Sequence, residues 1–241
     1  MAQPTNAKHC LEQGAWSPAT ADCHTTLDTT TLDLWRISLD QPVSVDVLAT
    51  DEQARLQRYR FAIDQRKFAV ARTSLRQILA RYSQQDPADL VFDYGVYGKP
   101  CLRDYPLQFN LSHSGEYALC GVARQVVGVD IEQLRSMDRL DGLIKRCLSP
   151  SEQQAIAAVE SSQRSKAFLE YWTCKEAYLK ATGQGISESL AAIEVDLSTE
   201  PKLNVPGQPW QLKGFIPCDG YTAAAVMPLD ITQIRFWTYG A

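Results

Sequence analysis

Apolar residues recur along this chain with two periods. From Leu32 to Leu39 they alternate well enough with polar ones to predict a first strand. Thr50 followed by Asp51 and Glu52 marks a helix start, and the helix is expected to break near Ala62 to Asp64. From Asp64 to Tyr82 the residues Phe68, Ala71, Leu75, Ile78, Leu79 and Tyr82 recur every three or four positions, the stripe of an amphipathic helix. Leu90 to Tyr94 reads as a strand, with turns at Gly95 and at Gly98-Lys99-Pro100. Strands are predicted at Leu107 to Leu111, Tyr117 to Ala123 and Val126 to Glu132. Ser149-Pro150-Ser151-Glu152 is a capping box with proline at the first helical position, opening a helix to about Val159. A second long helix runs from about Arg164 to Ala181 and stops at Gly183. Ile193 to Leu197, Trp210 to Phe215, Thr222 to Met227 and Ile231 to Trp237 are closing strands.

The plan repeats once, a long helix with several strands in each half, although no sequence repeat is visible. The expected organisation is a poorly ordered polar leader over 1–30, an N-terminal half over 31–124 and a C-terminal half over 125–241. Many strands with few helices favour α+β over a doubly wound sheet. At 241 residues the chain can bury a core without disulfides or metal. No apolar run approaches the roughly 18–20 residues that span a bilayer. The N-terminus lacks the basic-then-apolar pattern of a secretion signal, so a cytoplasmic location is expected. The seven cysteines are odd in number, scattered and without a Cys-x-x-Cys pair, which suits free thiols. His9-Cys10 and Cys23-His24 lack the spacing of a zinc site.

A net charge of −4 argues against general nucleic-acid binding. It hides an asymmetry: Arg55, Arg58, Arg60, Arg66, Lys67, Arg72, Arg76 and Arg81 face only Asp64 within that segment. Such a cluster in an acidic chain suggests a local anionic ligand, though each arginine taken singly also fits a solvated helix face.

Four short constellations carry candidate chemistry. In Gly128-Val129-Asp130-Ile131-Glu132, residues two apart on a strand share a face, so Asp130 and Glu132 present paired carboxylates. Magnesium would relieve their repulsion; an exposed edge-strand pair is the alternative. In the run Trp172 to Lys180, Phe168, Trp172, Glu176 and Lys180 fall along one helix face. That face suits the rim of a charged cleft, and equally a Glu–Lys surface pair. Asn110-Leu111-Ser112-His113-Ser114 reads as a strand ending in a small polar turn that can hold a phosphate, or as a structural turn. Lys99, in its Gly-Pro turn, suits a phosphate or an ordinary surface turn.

Together and in this order these motifs resemble those of the 4′-phosphopantetheinyl transferases of the larger, pseudo-dimeric, surfactin-synthetase-activator (Sfp) type, over about residues 32 to 237. The resemblance implies two similar α/β halves related by a pseudo-twofold axis, with coenzyme A in the cleft between them. It implies transfer of 4′-phosphopantetheine from coenzyme A to a serine of an apo acyl, polyketide or peptidyl carrier protein, releasing 3′,5′-ADP. It places magnesium on Asp130, Glu132 and Glu176, with Glu176 as base and Lys180 neutralising the leaving phosphate. Ser112, His113 and Lys175 match residues near the coenzyme phosphates. Lys99, shaped by Gly98 and Pro100, matches a lysine near the adenosine 3′-phosphate. Arg72 and Thr73 match a pair near the nucleotide, and Arg55 and Arg58 a basic pair on the 3′-phosphate. A monomer with no nucleic-acid or membrane partner is implied. Two rival readings are a magnesium-dependent hydrolase of nucleotides or phosphoesters and a non-catalytic module that binds coenzyme A or a carrier protein.

Overall fold

In the computed structural model, which describes residues 11–19, 26–184, 190–205 and 209–240, the alternating segments build sheets and the two apolar stripes become long helices. The first part of the chain forms β1 (Ser17–Pro18), β2 (Thr31–Ser38), α1 (Thr50–Leu56), α2 (Ala62–Ser83), β3 (Phe92–Tyr94), β4 (Pro100–Leu102), β5 (Gln108–Ser114), β6 (Tyr117–Ala123) and β7 (Gly128–Gln133). The remainder forms α3 (Leu140–Cys147), α4 (Pro150–Ala157), α5 (Arg164–Thr182), β8 (Glu194–Asp196), β9 (Lys202–Asn204), β10 (Trp210–Phe215), β11 (Tyr221–Pro228) and β12 (Gln233–Tyr239). One sheet runs β1-β12-β2-β6-β5 and a second runs β10-β11-β7.

Strand alternation sets the layers. Trp35 and Ile37 of β2, with Ala118, Cys120 and Val122 of β6, pack on Val70, Leu75, Ile78 and Leu79 of α2. The intervening Leu32, Leu34 and Leu119 face the opposite way, against Val129 and Ile131 of β7 and Ala223, Ala225 and Met227 of β11. On the far side of the second sheet Ala224 and Val226 pack on Phe168, Ala177 and Ala181 of α5. The order is therefore helix, sheet, sheet, helix. Each fully buried large side chain among these contributes roughly 1.5–3 kcal/mol.

The repeat of plan has a counterpart in detail. Glu152, third residue of α4, accepts from the Ser149 amide at 2.7 Å and binds Lys175 Nζ of α5 at 2.5 Å. Glu52, near the start of α1, accepts from the Ala49 amide at 3.0 Å and binds Arg72 and Arg76 of α2. In each half a buried glutamate thus caps a short helix and anchors the long one.

Three features depart from the sequence reading. β12 was expected to close the second half; it lies between β1 and β2 in the first sheet, parallel to both. Its Phe236 faces the inter-sheet core and its Trp237 the α2 side, and such two-faced apolarity does not specify a partner. Arg235 opposite Asp33, with Nε–Oδ1 at 2.6 Å, matches the register. Residues 11–19, expected in a loose leader, are seated on the body: β1 pairs with β12, and Trp16 packs edge-on against Phe236 at 5.2 Å. Residues 1–10 and 20–25, with His9, Cys10, Cys23 and His24, lie outside the described residues. The unforeseen α3 carries Ile144 and Cys147 into the second core. Among the described residues no helix is long and apolar enough to cross a membrane.

Candidate active site

The centre lies where β7, α5 and the edge strand β5 meet. Val129 and Ile131 point into the inter-sheet core, so alternation sends Asp130 and Glu132 to the α5 face. Gly128 lets the helix approach: a β-carbon there would overlap the Ala177 carbonyl oxygen and the Ala181 backbone. Close packing brings Lys180 Nζ to 2.6 Å from Asp130 Oδ1. Ser112 Oγ donates to the same oxygen at 2.7 Å, and Lys180 donates to Ser112 at 2.8 Å. Two residues along each strand, Ser114 Oγ donates to Glu132 Oε2 at 2.7 Å, and Arg135 Nη1 reaches that oxygen at 3.1 Å. Asn110 Oδ1 accepts from the Val129 amide at 2.9 Å. Asn110, Ser112 and Ser114 thus stitch the edge of one sheet to the edge of the other.

Negative charge is left over at this centre. Asp130 Oδ2 and Glu176 Oε1 are buried without a hydrogen-bond partner. Burial pushes the Asp130 carboxyl above its ordinary range, against the pull of Lys180 and Ser112. Burial also raises Glu176, helped by the Asp130 and Glu132 charges and opposed by Lys180. Unpaired carboxylate oxygens in a low-dielectric pocket suit a hard cation with oxygen ligands. The described residues contain no ready-made cluster of three or more His, Cys, Asp or Glu for a metal. Here Lys180 and Arg135 occupy one oxygen each of Asp130 and Glu132.

Strand alternation also splits a motif that the sequence presents as one turn. Ser112, His113 and Ser114 lie inside β5, paired with Leu119, Ala118 and Tyr117 of β6; the turn comes at Gly115, with φ of 57°. Ser112 joins the carboxylates, whereas His113 lies opposite Ala118 of the α2-facing core. Its imidazole is held below its ordinary value by the surrounding protein and by Lys180, Arg55 and Lys67. Arg55 and Arg58 are exposed, the Arg55 guanidinium lying over the Phe68 ring at 5.2 Å from its centroid.

Other expected phosphate contacts are occupied by the protein itself. Lys175 is fully buried, its ammonium held by Glu152, the Cys147 carbonyl and the Leu190 carbonyl. Although it precedes Glu176 in the chain, a step of one residue on a helix turns it away from the carboxylates. Arg72 is paired with Glu52 and reaches Tyr94 Oη at 3.3 Å; Thr73 donates to the Ser44 carbonyl at 3.1 Å. Gly98 takes φ of 79° in the β3–β4 turn and Pro100 opens β4, while Lys99 Nζ is bound to three main-chain carbonyls. Asn110 and Ser114, read in the sequence only as part of a polar turn, join the two sheets, and Arg135 carried no signal there; the alternation Asn-x-Ser-x-Ser, matching Asp-x-Glu in period, marks the shared face.

A charged centre on two sheet edges, backed by a helix glutamate and lysine and joined by exposed Arg135, has the groups that an enzyme for phosphate-bearing substrates needs. Residues 34–125 match the 4′-phosphopantetheinyl transferase N-terminal family and residues 126–225 the 4′-phosphopantetheinyl transferase superfamily. The chain is 41% identical over 239 residues to the 4′-phosphopantetheinyl transferase HetI of Nostoc sp., covering 94% of this chain and 99% of the relative. It is 25% identical over 222 residues to the 4′-phosphopantetheinyl transferase Sfp of Bacillus subtilis, covering 85% and 98%. The chain belongs to the 4′-phosphopantetheinyl transferase superfamily.

Proposed function

We infer that this chain transfers the 4′-phosphopantetheine arm of coenzyme A to a serine hydroxyl of an apo acyl, polyketide or peptidyl carrier protein. The observation that supports the chemistry at this site is the pair of buried, unpartnered oxygens on Asp130 and Glu176. In the reaction the serine Oγ forms a bond to the phosphorus that bears the pantetheine. The bond from that phosphorus to the bridging oxygen breaks, and 3′,5′-ADP leaves with the electron pair.

Asp130, Glu132 and Glu176 are the residues that would hold magnesium. Bound there, the ion would neutralise pyrophosphate charge and polarise the phosphorus. A serine hydroxyl is a poor nucleophile until its proton is accepted. Glu176 suits that task because its carboxylate faces the centre with Oε1 left without a partner. Lys180, already drawn to the centre by Asp130 and Ser112, supplies positive charge for the leaving phosphate. Ser112 and His113 offer polar contacts to the phosphates, and exposed Arg55 and Arg58 offer cations for the 3′-phosphate. The five described cysteines are all free, which fits work in a reducing cytoplasm; action as a monomer is carried over from the family resemblance.

The test is intact mass spectrometry of an apo carrier protein incubated with the enzyme, coenzyme A and magnesium, beside a chelator control. Gain of one phosphopantetheine only with magnesium is the expected result. Coenzyme A consumed while carriers of several classes stay unmodified would point to a hydrolase, and binding without any change to a non-catalytic module.

A further inference from the structure

We propose that Lys99 is a positioning residue for the carboxylate centre and not a ligand of the coenzyme's phosphates, an inference that rests on the transferase reading above. Lys99 belongs to the first half of the chain, in the turn between β3 and β4, yet its ammonium is spent on the second half. Nζ donates to the Lys180 carbonyl at 2.7 Å, the Ala181 carbonyl at 3.1 Å and the Val127 carbonyl at 3.1 Å. An ammonium has three N–H bonds, so three acceptors use its full donor capacity.

All three acceptors belong to the backbone that carries the carboxylate centre. Two are in the last turn of α5, where carbonyls lack helical partners and the helix dipole is negative. The third immediately precedes Gly128, the first residue of β7. One nitrogen therefore ties the backbone of Lys180 to the backbone three residues ahead of Asp130. The side chains of those two residues meet at 2.6 Å. The Lys99 stem passes beside Gly183, the left-handed residue that ends α5. Burial lowers the amine to about 8. A ligand of a mobile phosphate would have to surrender these bonds on each turnover; a clamp keeps them.

The experiment compares wild type, Lys99→Met and Lys99→Arg in steady-state transfer to an apo carrier, with coenzyme A and with 3′-dephospho-coenzyme A. Arginine keeps the charge and binds phosphate well, but its planar fork cannot converge three N–H bonds from one nitrogen. The clamp predicts that both variants lose about tenfold or more in kcat, because small misplacements of reacting groups are costly. It predicts a KM for coenzyme A within about twofold of wild type and an unchanged preference for the 3′-phosphate. A raised KM with normal kcat in Lys99→Met, loss of the 3′-phosphate preference, and recovery in Lys99→Arg would overturn it.

Acetylation footprinting of wild-type lysines, read by mass spectrometry with and without coenzyme A, needs no variant. Lys99 should be protected in both states; protection that appears only with coenzyme A overturns the clamp. Wild type that modifies no carrier counts against the transferase reading, whereas active wild type with undiminished kcat in both variants removes only the clamp.

Discussion

Glu176→Gln should make the metal-free protein more stable while abolishing its activity. Glu176 is only 8% exposed, and its Oε1 has no partner. Its carboxyl is raised by burial and by the Asp130 charge. A carboxyl with a raised folded-state pKa binds more protons folded than unfolded across the window between the two values. Stability is therefore lost as pH climbs from the ordinary carboxylate value through the folded one, and stays lost above it. A neutral amide of the same shape avoids that loss. A buried unsatisfied group costs about 1–3 kcal/mol, and the amide leaves polar atoms of its own unpaired, so about 1 kcal/mol should be recovered. For a chain of this size that is about 2–4 °C in Tm. The assay is thermal unfolding in chelator at neutral pH and again in mild acid, where the gap should narrow, then with excess magnesium. Magnesium should raise wild type more than the variant. An equal or lower Tm for the variant in chelator at neutral pH, or an equal gain from magnesium, refutes the reasoning. Coenzyme A binding, followed by calorimetry, should survive; near-normal turnover would remove Glu176 from the mechanism.

Lys175→Met breaks a pair whose side chains are 1% and 2% exposed, leaving the Glu152 charge unopposed at a cost of about 3–5 kcal/mol. Its Tm should fall by about 6 °C or more, with the KM for coenzyme A unchanged below the transition; a raised KM at normal Tm would return Lys175 to the phosphates. Gly128→Ala should cost about 1–3 kcal/mol or more, since the new β-carbon meets backbone that cannot give way without α5 moving. Transfer should fall with it, and a variant with wild-type kcat would show that the β7–α5 approach is not critical. Truncation before Gln233 removes β12 and leaves β2 without its parallel neighbour. It should give aggregated protein by size-exclusion chromatography, and a monodisperse, active product would contradict the assigned topology.

Much of this protein follows from local patterns. The apolar stripe from Phe68 to Tyr82 made α2, the Ser149–Glu152 box opened α4, and Gly183 ended α5, because helical period and capping act within a few residues. The Asp-x-Glu alternation also decided, by itself, that Asp130 and Glu132 share a face. What local pattern could not decide is which face meets which. Only tertiary packing placed β12 in the first sheet, because a strand apolar on both sides can enter any doubly covered sheet. Only tertiary packing divided Ser112 from His113 by running β5 straight through the motif. It also turned Lys175 into a buried strut beside a glutamate 23 residues away. Charge in a sequence marks a residue as able to bind an anion. Whether it is free to do so depends on acceptors brought from elsewhere in the chain, as the three carbonyls on Lys99 show.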